Sequence, residues 1–264
     1  MARRKLSKKD KQGIIVAAAS LLGLVVLGMI PVIVNLTSVP YDQETLCPSE
    51  GNYAHTVVLI DKTDPLTKTQ VGKLKQLIER TKSEMLLHEK LSIYVLDDRD
   101  YSVPAPKFAL CNPGTGANAS PIYQNPRLMQ IKFEETFGEP LQNALDGIEL
   151  GETRPVSPVM EMIASIADLK DFKLSDQRRQ LIIFSDMLQN MKGYSHYREK
   201  TDFDAFAKTD YARAQLVEMP GVEVTIFYLI RDGGGKRQTK QHLQFWNQYF
   251  HKMGAKLIIK DPSK

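Results

Sequence analysis

The sequence predicts an α/β domain: a mostly parallel six-stranded sheet with helices on both faces, preceded by one N-terminal transmembrane helix. Two observations predict the sheet. Short apolar runs of strand length alternate with longer amphipathic segments from residue 56 to the C-terminus. Those runs are predominantly apolar, as expected of strands covered on both faces. A third observation predicts the membrane helix: Gly13 to Leu36 carries no charge.

The elements follow in chain order. Residues 1–12 form a basic tail containing Arg3, Arg4, Lys5, Lys8, Lys9 and Lys11. Residues 13–36 are 24 in number, about 36 Å of helix, and so can cross a hydrocarbon core of about 30 Å. No Lys or Arg follows until Lys62, so the charge bias keeps the N-terminus in the cytoplasm and sends the remainder outside. The expected location is a bacterial inner (cytoplasmic) membrane with the domain in the periplasm. A eukaryotic secretory membrane gives the same reading. A cleaved signal peptide is the alternative, but this apolar run is longer than such peptides use and lacks a clear Ala-x-Ala site. The span also makes the lipid bilayer a partner of residues 13–36.

Residues 37–52 read as a linker, and 53–264 as the domain. Six of the 35 basic residues and one of the 31 acidic ones lie in the first twelve positions. That leaves 29 against 30, a near-neutral outer part that predicts no nucleic-acid surface. Cys47 and Cys111 are the two cysteines, and an even count in an exported domain suggests a bridge, with two free thiols as the alternative. Strands are expected at 56–60, 91–96, 107–111, 180–184, 222–230 and 256–259, and helices at 66–87, 127–147, 157–171 and 239–253. Asp64 followed by Pro65 reads as the cap and first residue of the first of these helices.

Chemistry is expected where strands end. Asp61 and Thr63 follow the first strand, Ser157-Pro158 opens a helix, and Asp186 follows Leu181-Ile182-Ile183-Phe184. Such positions converge at the ligand crevice of open α/β sheets. Their oxygens suit a hard cation. The set resembles the metal-ion-dependent adhesion site of von Willebrand factor A (vWA) domains, whose pattern is Asp-x-Ser-x-Ser, then a Thr, then an Asp. Asp61, Thr63, Ser157 and Asp186 match; the third position is Pro65, which has no side-chain oxygen. The resemblance covers about residues 53–261. It implies a vWA/Rossmann-like fold, a protein partner and Mg2+ held by Asp61, Thr63 and Ser157, with Asp186 acting directly or through water.

Other chemistries fit less well. A dehalogenase-type phosphatase needs Asp where Thr63 stands. Gly233-Gly234-Gly235-Lys236 lacks phosphate-loop spacing and reads as a turn. No Gly-x-Ser-x-Gly elbow occurs. Histidines 55, 88, 196, 242 and 251 form no ligand pair by spacing and read as surface or capping residues. The loop after Asp186 carries Tyr194, His196, Tyr197 and Arg198, residue types that anchor protein interfaces. The expected function is therefore a non-enzymatic, membrane-anchored protein-interaction module of an envelope complex. A metal-dependent hydrolase using Asp61 and Asp186, and a purely structural envelope subunit, are the rivals.

Overall fold

The structure, a computed structural model, describes residues 8–37, 40–49, 51–96, 105–120, 124–148, 153–231 and 236–260. Part of the expected basic tail (Arg3, Arg4, Lys5) and Gly233–Gly235 lie outside these residues. The chain divides into two units, Met1–Pro40 and Tyr41–Lys264.

The first unit contains a single described helix, α1 (Lys8–Thr37), of 30 residues. It is long and apolar enough to cross a membrane by length and composition. Its described side chains from residue 12 to 29 are all exposed.

The second unit is built on β1 (His55–Asp61), β2 (Lys90–Leu96), β3 (Phe108–Cys111), β4 (Arg179–Ser185), β5 (Glu223–Tyr228) and β6 (Lys256–Lys260). The order is β3-β2-β1-β4-β5-β6. Every pairing is parallel except β2–β3. All seven residues of β1 are buried, as befits the strand with neighbours on both sides and helices on both faces. The order reverses between β1 and β4, the kind of point at which open α/β sheets bind ligands beyond the carboxyl ends of their strands.

One face of the sheet packs Val58, Ile60, Leu91 and Ile93 under α2 (Lys68–Glu84) and the helix running from α3 (Pro126–Phe133) to α4 (Glu139–Asp146). The expected helix at 127–147 is thus continuous, but a π-turn, Glu134–Gly138, interrupts it. Pro140 follows that turn. Proline has no N–H and would clash with a carbonyl in a regular α-turn, so the wider turn before it relieves the chain. The other face packs Leu59, Leu181, Ile183 and Ile226 under α5 (Val159–Ala167), α7 (Phe203–Phe206), α8 (Asp210–Gln215) and α9 (Lys240–Lys252). A short α6 (Lys170–Lys173) follows α5, where one helix to residue 171 was expected.

The start of α2 corrects the sequence reading. Asp64-Pro65 does not cap it. Thr67 does, accepting from the Gln70 N–H while the Gln70 side chain accepts from the Thr67 N–H. This reciprocal pair satisfies two end donors at once, which a lone Asp does not. It leaves Asp64 and Pro65 in the loop above the sheet.

Cys47 and Cys111 are joined in a disulfide across a sequence separation of 64. The bridge fixes the segment leading into the domain to β3, and the Cys111 N–H donates to the Thr45 carbonyl beside it. Loop-closure entropy assigns such a bridge about 4 kcal/mol. Reduction, or Cys47→Ala with Cys111→Ala, is expected to lower the unfolding free energy by a few kcal/mol. A urea midpoint unchanged by reduction would show that the bridge adds nothing.

Candidate functional site

Asp61 ends β1 with its side chain wholly buried, and every bond it makes is to another loop or to its own turn. Oδ1 accepts from the Thr63 N–H at 3.0 Å and from the Thr63 hydroxyl at 2.7 Å. Oδ2 accepts from the Ser185 hydroxyl at 2.6 Å. The Thr63 hydroxyl also lies 3.0 Å from Ser157 Oγ. A hydroxyl has one proton, so with the Thr63 proton on Asp61 the Ser157 hydroxyl donates in that second bond. The loop bearing Ser157 is tied down further: the Arg154 N–H donates to the Thr63 carbonyl at 2.8 Å, and Ser157 and Asn190 exchange backbone bonds at 3.0 and 2.9 Å. Three of the four residues picked from the sequence, Asp61, Thr63 and Ser157, therefore share one place, and Ser185 joins them.

Asp186 lies one residue beyond β4 and is almost fully buried. Its Oδ1 accepts from the Leu188 N–H at 2.8 Å. Its Oδ2 accepts from Arg231 Nε at 2.7 Å, and Arg231 Nη1 donates to the Pro65 carbonyl at 2.7 Å. Arg231 Nη2 is buried and has no hydrogen-bond partner among the described residues. Gln238 completes the join: it donates to the carbonyls of Asp186 (3.2 Å) and Leu229 (2.7 Å) and accepts from the Arg231 N–H at 2.9 Å. Burial first, then the Asp61 charge, lifts the Asp186 carboxyl to about 7, against the pull of Arg231. Asp64 is also raised, by burial and then by Asp61, with Arg231 opposing.

The next residue, Met187, has φ 60, a conformation an unbranched side chain adopts at a cost of order 1 kcal/mol. Its carbonyl is held by Trp246 Nε1 at 3.0 Å and by His242 Nε2 at 3.1 Å. His242 Nδ1 meets the Tyr228 hydroxyl at 2.7 Å, and Nε2 lies 3.2 Å from His196 Nδ1. His55, His196 and His242 are therefore buried, contrary to the surface role expected of them.

Two of the expected rim residues are also buried. Tyr194 packs between Phe206 and Phe245, and His196 packs on Phe245 and Trp246. Their apolar faces serve the core, which a spacing argument could not foresee. Tyr197 and Arg198 do lie at the surface. Tyr197 carries Arg237 over its ring at 4.5 Å, and Arg198 is bonded to the Met191 carbonyl at 2.6 Å.

Sequence reasoning missed Ser185, Arg231 and Gln238. The signal for Arg231 existed: it stands just past the end of β5, the position type that singled out Asp61 and Asp186. The search there was for oxygens, and a cation was passed over.

A divalent ion of the magnesium type needs oxygens with lone pairs to spare. Here Asp61 accepts three donors, Asp186 Oδ2 is bonded to a guanidinium, and Pro65 offers only a carbonyl that the same guanidinium holds. Among the described residues no group of three or more His, Cys, Asp or Glu could hold a metal. As folded, the donor set does not fit Mg2+.

No family model matches the chain, and no curated protein matches it in sequence. Solved structures similar to it in fold include the VWA domain of SpRpn10, at 10% identity and TM-score 0.40, covering 80% of this chain and 89% of that one. The conserved hypothetical protein BatB from Bacteroides thetaiotaomicron is similar at 13% identity and TM-score 0.37, covering 79% of this chain and 90% of that one.

Burial holds His242 at about 4, below its ordinary value of 6.5, against the opposing Met187 carbonyl. The neutral ring is thus favoured by the fold. Its contribution is whole above about pH 6.5 and is lost toward pH 4, because there the unfolded chain takes a proton that the folded chain refuses. The stability gap between wild type and His242→Gln is expected to shrink by about 3 kcal/mol between pH 7 and pH 4. Urea titrations of both proteins across that range measure it; a gap independent of pH would mean the ring titrates normally in the fold.

Proposed function

We propose that the chain is a membrane-anchored, non-enzymatic protein-interaction module that meets its partner on the rim at the carboxyl ends of the strands. The observation that carries this reading is the rim itself. Loops after β1, β4 and β5 are locked together by Asp61, Asp186 and Arg231, and around them Tyr197, Arg237 and Ile230 stand exposed. A rigid platform that presents an aromatic ring, an arginine and an apolar side chain offers binding energy with little ordering cost.

The hydrolase reading finds no support in this geometry. The Ser157 hydroxyl donates to Thr63 and the Ser185 hydroxyl to the Asp61 carboxylate, and Ser157, Ser185 and Asp61 are all buried, so neither hydroxyl is presented to a substrate. The histidines nearest the site are committed to the core.

The apolar α1 and the basic residues before it support a single-pass anchor with the N-terminus inside. The disulfide supports an oxidising compartment for the domain. Both features support a reading in which the module faces the outer side of a cytoplasmic membrane, within an envelope complex.

Photo-crosslinking in intact membranes tests the proposal. A photoreactive residue at Tyr197 of the full chain is expected to give discrete protein adducts. The same residue at Leu174, which is 71% exposed and lies before β4 at the opposite end of the strands, is expected to give none. No adduct from position 197, or the same adducts from both, would remove the rim as the binding face.

A further inference from the structure

We infer that Arg231 is the resident cation of the rim site: it does permanently what a divalent ion would do there, and its removal opens the site to Mg2+ or Mn2+. Three observations lead to this. First, Asp61 and Asp186 are buried carboxylates in adjoining loops, with 0% and 2% of their surface exposed. Two such charges need a cation between or beside them, since burial without one is strongly unfavourable. Second, the guanidinium is the cation present. It meets Asp186 Oδ2 and the Pro65 carbonyl with two separate N–H groups, and its side chain is only 15% exposed. Third, the position that could have given a metal another hydroxyl oxygen is Pro65, whose carbonyl accepts from Arg231 instead.

The chemistry of the two cations differs in a way that matters for function. A metal ion draws in oxygen lone pairs, exchanges its waters and can take one more oxygen from a partner. A guanidinium is planar, keeps its charge at any ordinary pH and donates in fixed directions. With Nε and Nη1 spent, the loops after β1 and β4 are joined by a linkage that chelators cannot remove. Asp61, Thr63 and Ser157 remain hydrogen-bonded to one another, and Asp186 is held to the same loop through Arg231 and the Pro65 carbonyl. Binding at the rim would then be indifferent to chelators.

The test uses the full chain in detergent, without any partner, so its outcome is separate from whether the rim binds a protein. Wild type is expected to show no Mn2+ binding by electron paramagnetic resonance and the same melting temperature in EDTA and in excess Mg2+. Arg231→Gln, which keeps much of the side-chain volume, is expected to melt lower in EDTA and to recover with Mn2+. It should bind Mn2+ at least about tenfold more tightly than wild type. Adding Asp186→Asn to that variant is expected to abolish the response. Arg231→Lys should retain a cation and stay insensitive to Mn2+; it also serves if the Gln variant fails to fold, since a Lys variant that gains Mn2+ binding contradicts the idea. Stoichiometric Mn2+ binding by wild type, or a folded Arg231→Gln protein with unchanged melting and no Mn2+ response, would overturn the inference.

Discussion

A carboxylate with no exposure must have its oxygens satisfied by the protein, and Asp61 meets that requirement only where three loops come together. Its acceptors draw in Thr63 from its own loop and Ser185 from the end of β4. Through Thr63 they draw in Ser157, just ahead of α5. The parallel register of β1 with β4 sets Ile60 beside Phe184, so Asp61 and Ser185 are neighbours before any side chain is placed. The switch in strand order makes the space, and the buried charge decides what fills it.

A second tier rests on the first. Met187 turns the chain into a left-handed conformation directly after Asp186, and Trp246 and His242 of α9 grip its carbonyl. The aromatic core between sheet and α9 therefore sets the direction of the Asp186 loop. Gln189 carries that order onward: its side chain accepts from the Met160 N–H at 2.8 Å in the first turn of α5 and donates to Glu161 and Tyr211. Arg231 then closes the rim across β1, β4 and β5. A surface held this way changes shape little on binding, and its exposed residues lose little freedom when a partner arrives.

The fold was largely legible because the central strands are apolar runs between amphipathic helices, most clearly β1, which is buried on both faces from Val57 to Ile60. In β4 only Ile182 of Leu181 to Phe184 is less than fully buried. That Asp61, Thr63 and Ser157 meet was legible for a related reason, since loops at the carboxyl ends of parallel strands share one edge. Competition between local signals was less legible. Asp64-Pro65 looked like a cap, yet Thr67 and Gln70 satisfy two donors together and win. Tyr194 and His196 carry polar atoms that suggested a surface, yet their rings fill the space beside Phe245. Helices α7 and α8, of four and six residues, are too short to leave a periodic pattern. Arg231 was half legible: its place just past β5 could be read, but nothing local marks an arginine as a buried counter-charge until the carboxylate it faces is placed in space.

The central claim is that the Asp61 carboxylate and its hydroxyl donors act as one unit. A double-mutant cycle on Asp61→Ala and Ser185→Ala, read as unfolding free energy in urea, tests it most directly. Each single change is expected to cost about 1–3 kcal/mol, because the partner is left buried and unpaired. The double variant should cost at least about 1 kcal/mol less than the sum, since the second removal leaves nothing further orphaned across that bond. Strict additivity, or an Asp61→Ala protein as stable as wild type, would contradict the account.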